Sequence, residues 1–281
     1  MKRLSIRMLV LSLVVMLAAP LVNAQAPTLK TTELGRGPTV VFVPGLGITR
    51  SQWMPTARKL VGTNRVVMVD LPGQGDSALP DPFSFDACAK ALDVVLAREN
   101  PESTIIVAHS VGGVIAMRAL AVNPSRARGL LMIDTQIKSP IPVPDQQRQQ
   151  MVNFMDGSYD TFLKMAFSSM GRDSTESAML FTSMAQTPPV TIKTYLRALL
   201  ALDANKDAKA VQGISRMLVT ERGWRDVRSP GVVMQSLGFD DTTGFVPRRF
   251  DGAGYLAMKD QPDTLAAIIR SFAAERLAQA K

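Results

Sequence analysis

The stretch Thr104 to Leu120, TIIVAHSVGGVIAMRAL, restricts the fold of this chain more than any other. Thr104 to Ala108 run without a charged residue, as expected of a strand buried on both faces. From Val111 to Val122 the apolar pattern is helical, and it stops at Asn123-Pro124-Ser125, a proline terminator. Only His109 and Ser110 separate the two patterns. A chain that passes from strand to helix so quickly strains the backbone of the serine and pushes its hydroxyl out at the end of the sheet. The turn needs small residues two places to either side, and Ala108 and Gly112 supply them; Gly113 lets the helix approach the sheet. The helix N-terminus then faces whatever the hydroxyl attacks and favours negative charge developing there. A small-x-Ser-x-Gly string is weak by itself; between a strand and a helix it marks a candidate nucleophile.

The same alternation recurs along the chain. Residues 39–44 (TVVFVP), 65–70 (RVVMVD), 129–134 (GLLMID) and 216–220 (RMLVT) also read as buried strands. Helices are expected at about Ser51–Val61, Asp86–Arg98 and Val111–Val122, and after Asp260 with Pro262 in the first turn. In that last helix Leu265, Ile268, Ile269 and Phe272 form one apolar stripe. Strands alternating with helices predict an α/β fold, a mostly parallel sheet with helices on both faces. The rhythm breaks after Thr135. Residues 136–214 carry helical patterns and no strand, too long for a plain loop, and read as a helical cap inserted between core segments 25–135 and 215–281. The insertion holds Met151, Met155, Met165, Met170, Met179 and Met184. These either pack helices onto the core, the preferred reading, or form a pliable apolar wall around a substrate.

At the N-terminus Lys2, Arg3 and Arg7 precede an apolar run from Met8 to Val22, followed by the small-residue site VNAQA. This is the pattern of an export signal over residues 1–24, cleaved near Ala24. The run is short for a membrane span and Pro20 interrupts it, so no stable span is expected in the mature chain, which would be periplasmic or secreted. The formal charge of +8 falls to +5 without the signal. The remaining basic residues are scattered, without the aromatic-interleaved stripe of a nucleic-acid binder. Cys88 is the one cysteine and His109 the one histidine. An internal disulfide is therefore excluded, as is a structural zinc site of the usual kind, and Cys88 sits in an apolar helical pattern that places it in the core.

A second segment complements the serine. VVFVPGLGITRSQW reads as a strand followed by the turn Pro44-Gly45-Leu46-Gly47. Such a turn can aim the Leu46 N–H at the point faced by the Val111 N–H, and two such donors make an oxyanion hole. A dinucleotide fingerprint is the rival reading, but Arg50 stands where the third glycine belongs, and Asp70 leads into LPGQG rather than toward a ribose. No metal, flavin or nucleotide cofactor is expected.

Four segments, VFVPGLG, VVMVDLPGQGDS, IIVAHSVGG and FDGAGYLAMKDQPDTLAAIIRSF, together resemble the α/β-hydrolase fold superfamily, of the single-domain type with a helical cap. The resemblance covers most of the mature chain outside the cap. It implies a mostly parallel sheet of about eight strands, Ser110 as nucleophile, Leu46 and Val111 as oxyanion donors, and an acid after the strand that follows the cap. Asp226 in ERGWRD is that candidate, and Asp134 after the preceding strand is the alternative seat. The order serine, acid, C-terminal base agrees with the family.

The base departs from it. Where the family carries histidine, GAGYLAMKDQP carries Tyr255, while Gly252, Gly254, Gln261 and Pro262 all match around it. Gln74 likewise replaces the histidine of the family's PGHG turn. His109 adjoins Ser110 on a tight turn, where neighbours project in different directions, so it is expected to support the elbow rather than serve it. A phenol titrates near 10, against about 6.5 for imidazole, so Tyr255 would need a cation to act as base; it can also donate a hydrogen bond. Two functions follow as expectations: an exported hydrolase of small ester-like or apolar substrates with an atypical triad, or an impaired pseudo-hydrolase that binds a small apolar ligand or a partner.

Overall fold

Runs of valine, isoleucine, leucine and methionine build the middle of the sheet, and they are buried along nearly their whole length. The computed structural model describes residues 28–138, 143–168, 170–224, 229–240 and 244–279. Seven strands lie among them: β1 (Thr31–Leu34), β2 (Thr39–Val43), β3 (Arg65–Val69), β4 (Thr104–His109), β5 (Gly129–Ile133), β6 (Ser215–Thr220) and β7 (Pro247–Phe250). Their order in the sheet is β1-β3-β2-β4-β5-β6-β7. β1 runs antiparallel to β3, and every other pairing is parallel.

Alternate residues of each strand feed two separate cores. Val41, Val43, Ile106 and Ala108 pack on one face with Cys88, Leu92, Val114 and Met117, which come from α2 (Phe85–Leu96) and α3 (Val111–Val122). Val40, Phe42, Ile105 and Val107 pack on the other with Trp53, Leu265, Ile269 and Phe272. The latter three belong to α12 (Pro262–Ala278), with Pro262 at its first position, and α1 (Met54–Arg58) lies beside it. Two covered faces are the reason these strands read as continuous apolar runs rather than alternating ones. Cys88 is fully buried among them, and burial pushes its thiol up to about 12.

The described residues hold seven strands where eight were expected. The outer edge of β1 pairs with no further strand among them; Thr-Thr-Glu-Leu is short, polar and half exposed, as sheet edges tend to be. For the same reason β1 and β7 were missed in the sequence. β7 is Pro-Arg-Arg-Phe, whose two arginines face solvent, so neither edge carries an apolar run.

Between β5 and β6 the chain forms α4 (Asp145–Gly157), α5 (Tyr159–Phe167), α6 (Ser174–Gln186), α7 (Pro189–Leu200) and α8 (Asn205–Val211). Residues of α4, α5 and α7 wall the space beside Ser110, α6 meets the turn after β2 through Ser183, and α8 packs against α3. Beyond β6 come α9 (Glu221–Trp224), α10 (Pro230–Ser236) and α11 (Ala257–Asp260). The expected export signal lies outside the described residues, and no helix among the described residues is long and apolar enough to cross a membrane.

Candidate active site

Ser110 joins β4 to α3 at φ 51°, ψ −126°, a left-handed backbone that a residue with a side chain rarely adopts. Its N–H donates to the Ile133 carbonyl at 2.9 Å, and its carbonyl accepts from Gly113 N at 2.9 Å. These bonds hold the bend against its strain. Gly112 is required by close approach, since a methyl group there would run into the carbonyl oxygens of Val43 and Pro44. The strand, the bend and the helix are thus the ones the sequence calls for.

The glycine turn lies against the serine. A Cβ on Gly45 would come within 3.1 Å of the Ser110 Cβ, so the turn approaches Ser110 at Gly45, while Val111 opens α3 on the other side. The turn is anchored from two sides. Gln74, fully buried, accepts from Gly47 N through Oε1 and donates to the Gly45 carbonyl at 3.4 Å. Ser183 of α6 donates its hydroxyl to the Gly47 carbonyl. Further out, Arg50 pairs with Asp70, which also accepts the Arg50 N–H at 2.7 Å, and with Asp76 at 2.8 Å. Arg50, at the place of a third glycine, and Asp70, at the place of a ribose acceptor, are therefore bound to each other. Both side chains are thus occupied within the protein. Gln74 carries more than the sequence suggests, because its buried amide spans both ends of the turn.

Tyr255 reaches Ser110. Its hydroxyl donates to Ser110 Oγ at 3.2 Å, and the ring is 4% exposed. Burial pushes the phenol up to about 12; the hydrogen bond to Ser110 and the charge of Arg222 pull the other way, and Asp134 adds to the rise. At neutral pH the group keeps its proton and acts as a donor. His109 lies edge-on to the same ring with centroids 4.5 Å apart, and its imidazole packs against Gly45. It is fully buried, and no hydrogen bond joins either ring nitrogen to Ser110. Burial pushes its imidazole down to about 3, partly offset by the Tyr255 backbone. His109 is a neutral packing residue under the elbow.

Of the two candidate acids, Asp226 lies outside the described residues. Asp134 follows β5 at φ 46°. Its carboxylate accepts the backbone N–H of Thr220 at 2.8 Å and the Thr220 hydroxyl at 2.6 Å, which ties the ends of β5 and β6 together. Burial holds it above the ordinary carboxylate range, against the pull of the Thr220 donors and of Arg222. Asp134 and Arg222 both act electrostatically on Tyr255, so the fold gathers Ser110, Tyr255, Asp134 and Arg222 at one end of the sheet.

Sequence reasoning missed Thr220, Arg222 and Glu176. Thr220 reads only as the last residue of a strand. Arg222 is one of many scattered cations. Glu176, three residues after Asp173, carries the signature of a helix cap, yet it accepts the backbone N–H of Leu256, next to Tyr255, at 2.8 Å.

A cavity of about 270 Å³ opens from Ser110 and Val111. Its walls are Met151, Met155, Phe162, Leu196, Leu199 and Leu202, with Gln136 and Lys138 as the other polar members. Lys138 pairs with Asp203 at 3.0 Å. The methionines divide between the two expectations: Met151 and Met155 line this cavity, Met184 is buried in the core against Gly47, and Met165 and Met179 face solvent.

The chain is 29% identical over 161 residues to a pimeloyl-[acyl-carrier protein] methyl ester esterase of Pseudoalteromonas atlantica, a match covering 53% of this chain and 60% of that protein. It thus spans less than two thirds of that relative. Among solved structures, a thermophilic esterase from Thermogutta terrifontis is similar with a TM-score of 0.70 at 19% identity, covering 88% of this chain and 93% of that one. The enol-lactonase from Burkholderia xenovorans LB400 gives 0.70 at 16% identity, covering 89% and 98%; at such identities the likeness shows the fold. Residues 40–274 match the family model, and with the strained serine between β4 and α3 and the mostly parallel sheet beneath it, the chain belongs to the alpha/beta hydrolase family.

Proposed function

We propose that the mature protein is exported, binds small apolar ester-bearing molecules at Ser110 under a helical cap spanning residues 136–214, and hydrolyses them without a general base, as a weakened esterase. The observation that carries this reading is the 3.2 Å hydrogen bond from the buried Tyr255 hydroxyl to Ser110 Oγ. A phenol so bonded supplies a proton to Ser110 where a base would remove one. His109 is neutral, buried and not bonded to Ser110. What remains is binding and the Leu46 and Val111 donors, which in serine sites stripped of the relay leave on the order of 10³–10⁴ over water.

An ester fits both the wall chemistry and the names of the relatives, a methyl ester esterase, an esterase and a lactonase. Size follows from the cavity. Each non-hydrogen atom of a liquid-packed ligand occupies roughly 30 Å³, about a water molecule's share, so about 270 Å³ accommodates roughly nine. That suits an acyl chain of roughly six to eight carbons with its carbonyl at Ser110.

The test is a series of p-nitrophenyl esters of rising chain length together with fluorophosphonate labelling of Ser110. Slow hydrolysis, best at intermediate length, with labelling lost in Ser110→Ala, is expected. Turnover at the roughly 10 s⁻¹ of an ordinary enzyme would mean that a base acts on Ser110 and would overturn the reading. Ester binding with no hydrolysis and no labelling would place the protein among ligand binders instead.

A further inference from the structure

Helix α6 reaches the Tyr255 loop through one buried carboxylate. Glu176 sits at the third position of α6 and is 5% exposed. The helix is capped by Asp173, whose Oδ1 accepts the Glu176 N–H at 2.8 Å. In an ordinary capping box the glutamate would return the favour to the cap residue's own N–H. Here it does not. One oxygen accepts from Arg172 N, and the other accepts from Leu256 N at 2.8 Å, across 80 residues of sequence.

The loop is shaped to receive it. A side chain on Gly254 would collide with Glu176 Oε2, so this glycine is what lets the carboxylate in. On the loop's other side Gly254 N donates to Asp260 at 2.8 Å and Gln261 donates to the Gly252 carbonyl at 3.2 Å. Leu180, one turn further along α6, is buried in the same cluster as Tyr255 and Leu256. The peptide that carries the phenol is therefore clamped between the core and α6.

We infer that Glu176 is a positioning residue for the Ser110–Tyr255 pair: it fixes the Tyr255–Leu256 peptide from α6, so that seating α6 on the core and placing the hydroxyl at Ser110 are a single event. This rests on the reading of Ser110 and Tyr255 as the reactive pair. It predicts that lifting α6 withdraws the phenol and opens the site at once.

Amide hydrogen exchange on the full mature chain tests it without any substrate. Glu176→Ala is expected to speed exchange at Leu256 and Gly254 by at least about tenfold while amides of β4 and β5 keep their wild-type rates. Glu176→Gln keeps one carbonyl for Leu256 and should fall between, which also serves if the alanine variant does not fold. Unchanged exchange at Leu256, or an equal rise across the sheet, overturns the proposal. In a Tyr255→His background, Glu176→Ala should lower kcat about tenfold per fluorophosphonate-titrated site with KM nearly constant; equal kcat per titrated site overturns it. If Tyr255→His shows no turnover at all, the reading of Ser110 fails while exchange still decides the role of Glu176.

Discussion

On the flank of Ser110 facing β2 and β3, the parts agree with the proposed serine chemistry. A glycine turn sits against Ser110, Gln74 braces it from within, and the Arg50–Asp70 pair locks its far end. On the flank facing β5 to β7, the residues are equally well held but differently endowed: Asp134 bridges to Thr220, Arg222 lies nearby, and a neutral phenol stands at the serine. The difference is chemical rather than architectural. A scaffold can keep the distance between two side chains while exchanging a proton acceptor for a donor, because backbone and packing set the distance and ionisation sets the role.

The largest effect expected from disturbing this contrast is Tyr255→His. General-base catalysis contributes about 10²–10⁴, so ester turnover should rise by at least about 10², with a new inflection in kcat/KM near the imidazole range that the wild type lacks. A flat response would mean that the intact flank is not competent either. Next, in that background, Asp134→Asn and Asp226→Asn identify the acid. The true partner should cost most of the gain, on the order of 10²-fold, and the other little; equal small losses would leave the introduced imidazole without a carboxylate partner.

His109 predicts a stability effect. Its folded pKa of about 3 lies below the unfolded value near 6.5, so the unfolded state binds the extra proton. The stability it contributes is full above about pH 6.5 and is lost as pH falls toward 3; by pH 4 the loss is about 3 kcal/mol. Denaturant titrations at pH 7 and pH 4 should show this drop in the wild type and a much smaller one in His109→Phe, which has no imidazole to protonate. Gln74→Ala should follow at about 1–3 kcal/mol of stability, with slower labelling of Ser110, as the glycine turn loses its brace. The smallest change is one of preference: Leu199→Trp, by filling the cavity, should shift the best ester to a shorter chain by roughly two or three carbons.

Much of this was legible beforehand. The central strands, the serine bend and the closing helix are local patterns, and they fold as local patterns dictate. β1 and β7 were not legible, because edge strands with one exposed side need no apolar run. Tyr255 was legible as a substitution, since the glycines around it kept their places. Glu176 was not, because its sequence context is that of an ordinary cap and its partner lies 80 residues away.

The order of residues by itself determined the layered fold, the strained serine and the presence of Tyr255 among the glycines of the C-terminal segment. Only the tertiary structure decided that this group touches the serine, that it and His109 are buried deeply enough to stay neutral, and that α6 holds its loop. The reason is range. Periodicity and turn chemistry act over a few residues, whereas desolvation and side-chain encounter are set by elements far apart in the chain, meeting only once every helix has been packed.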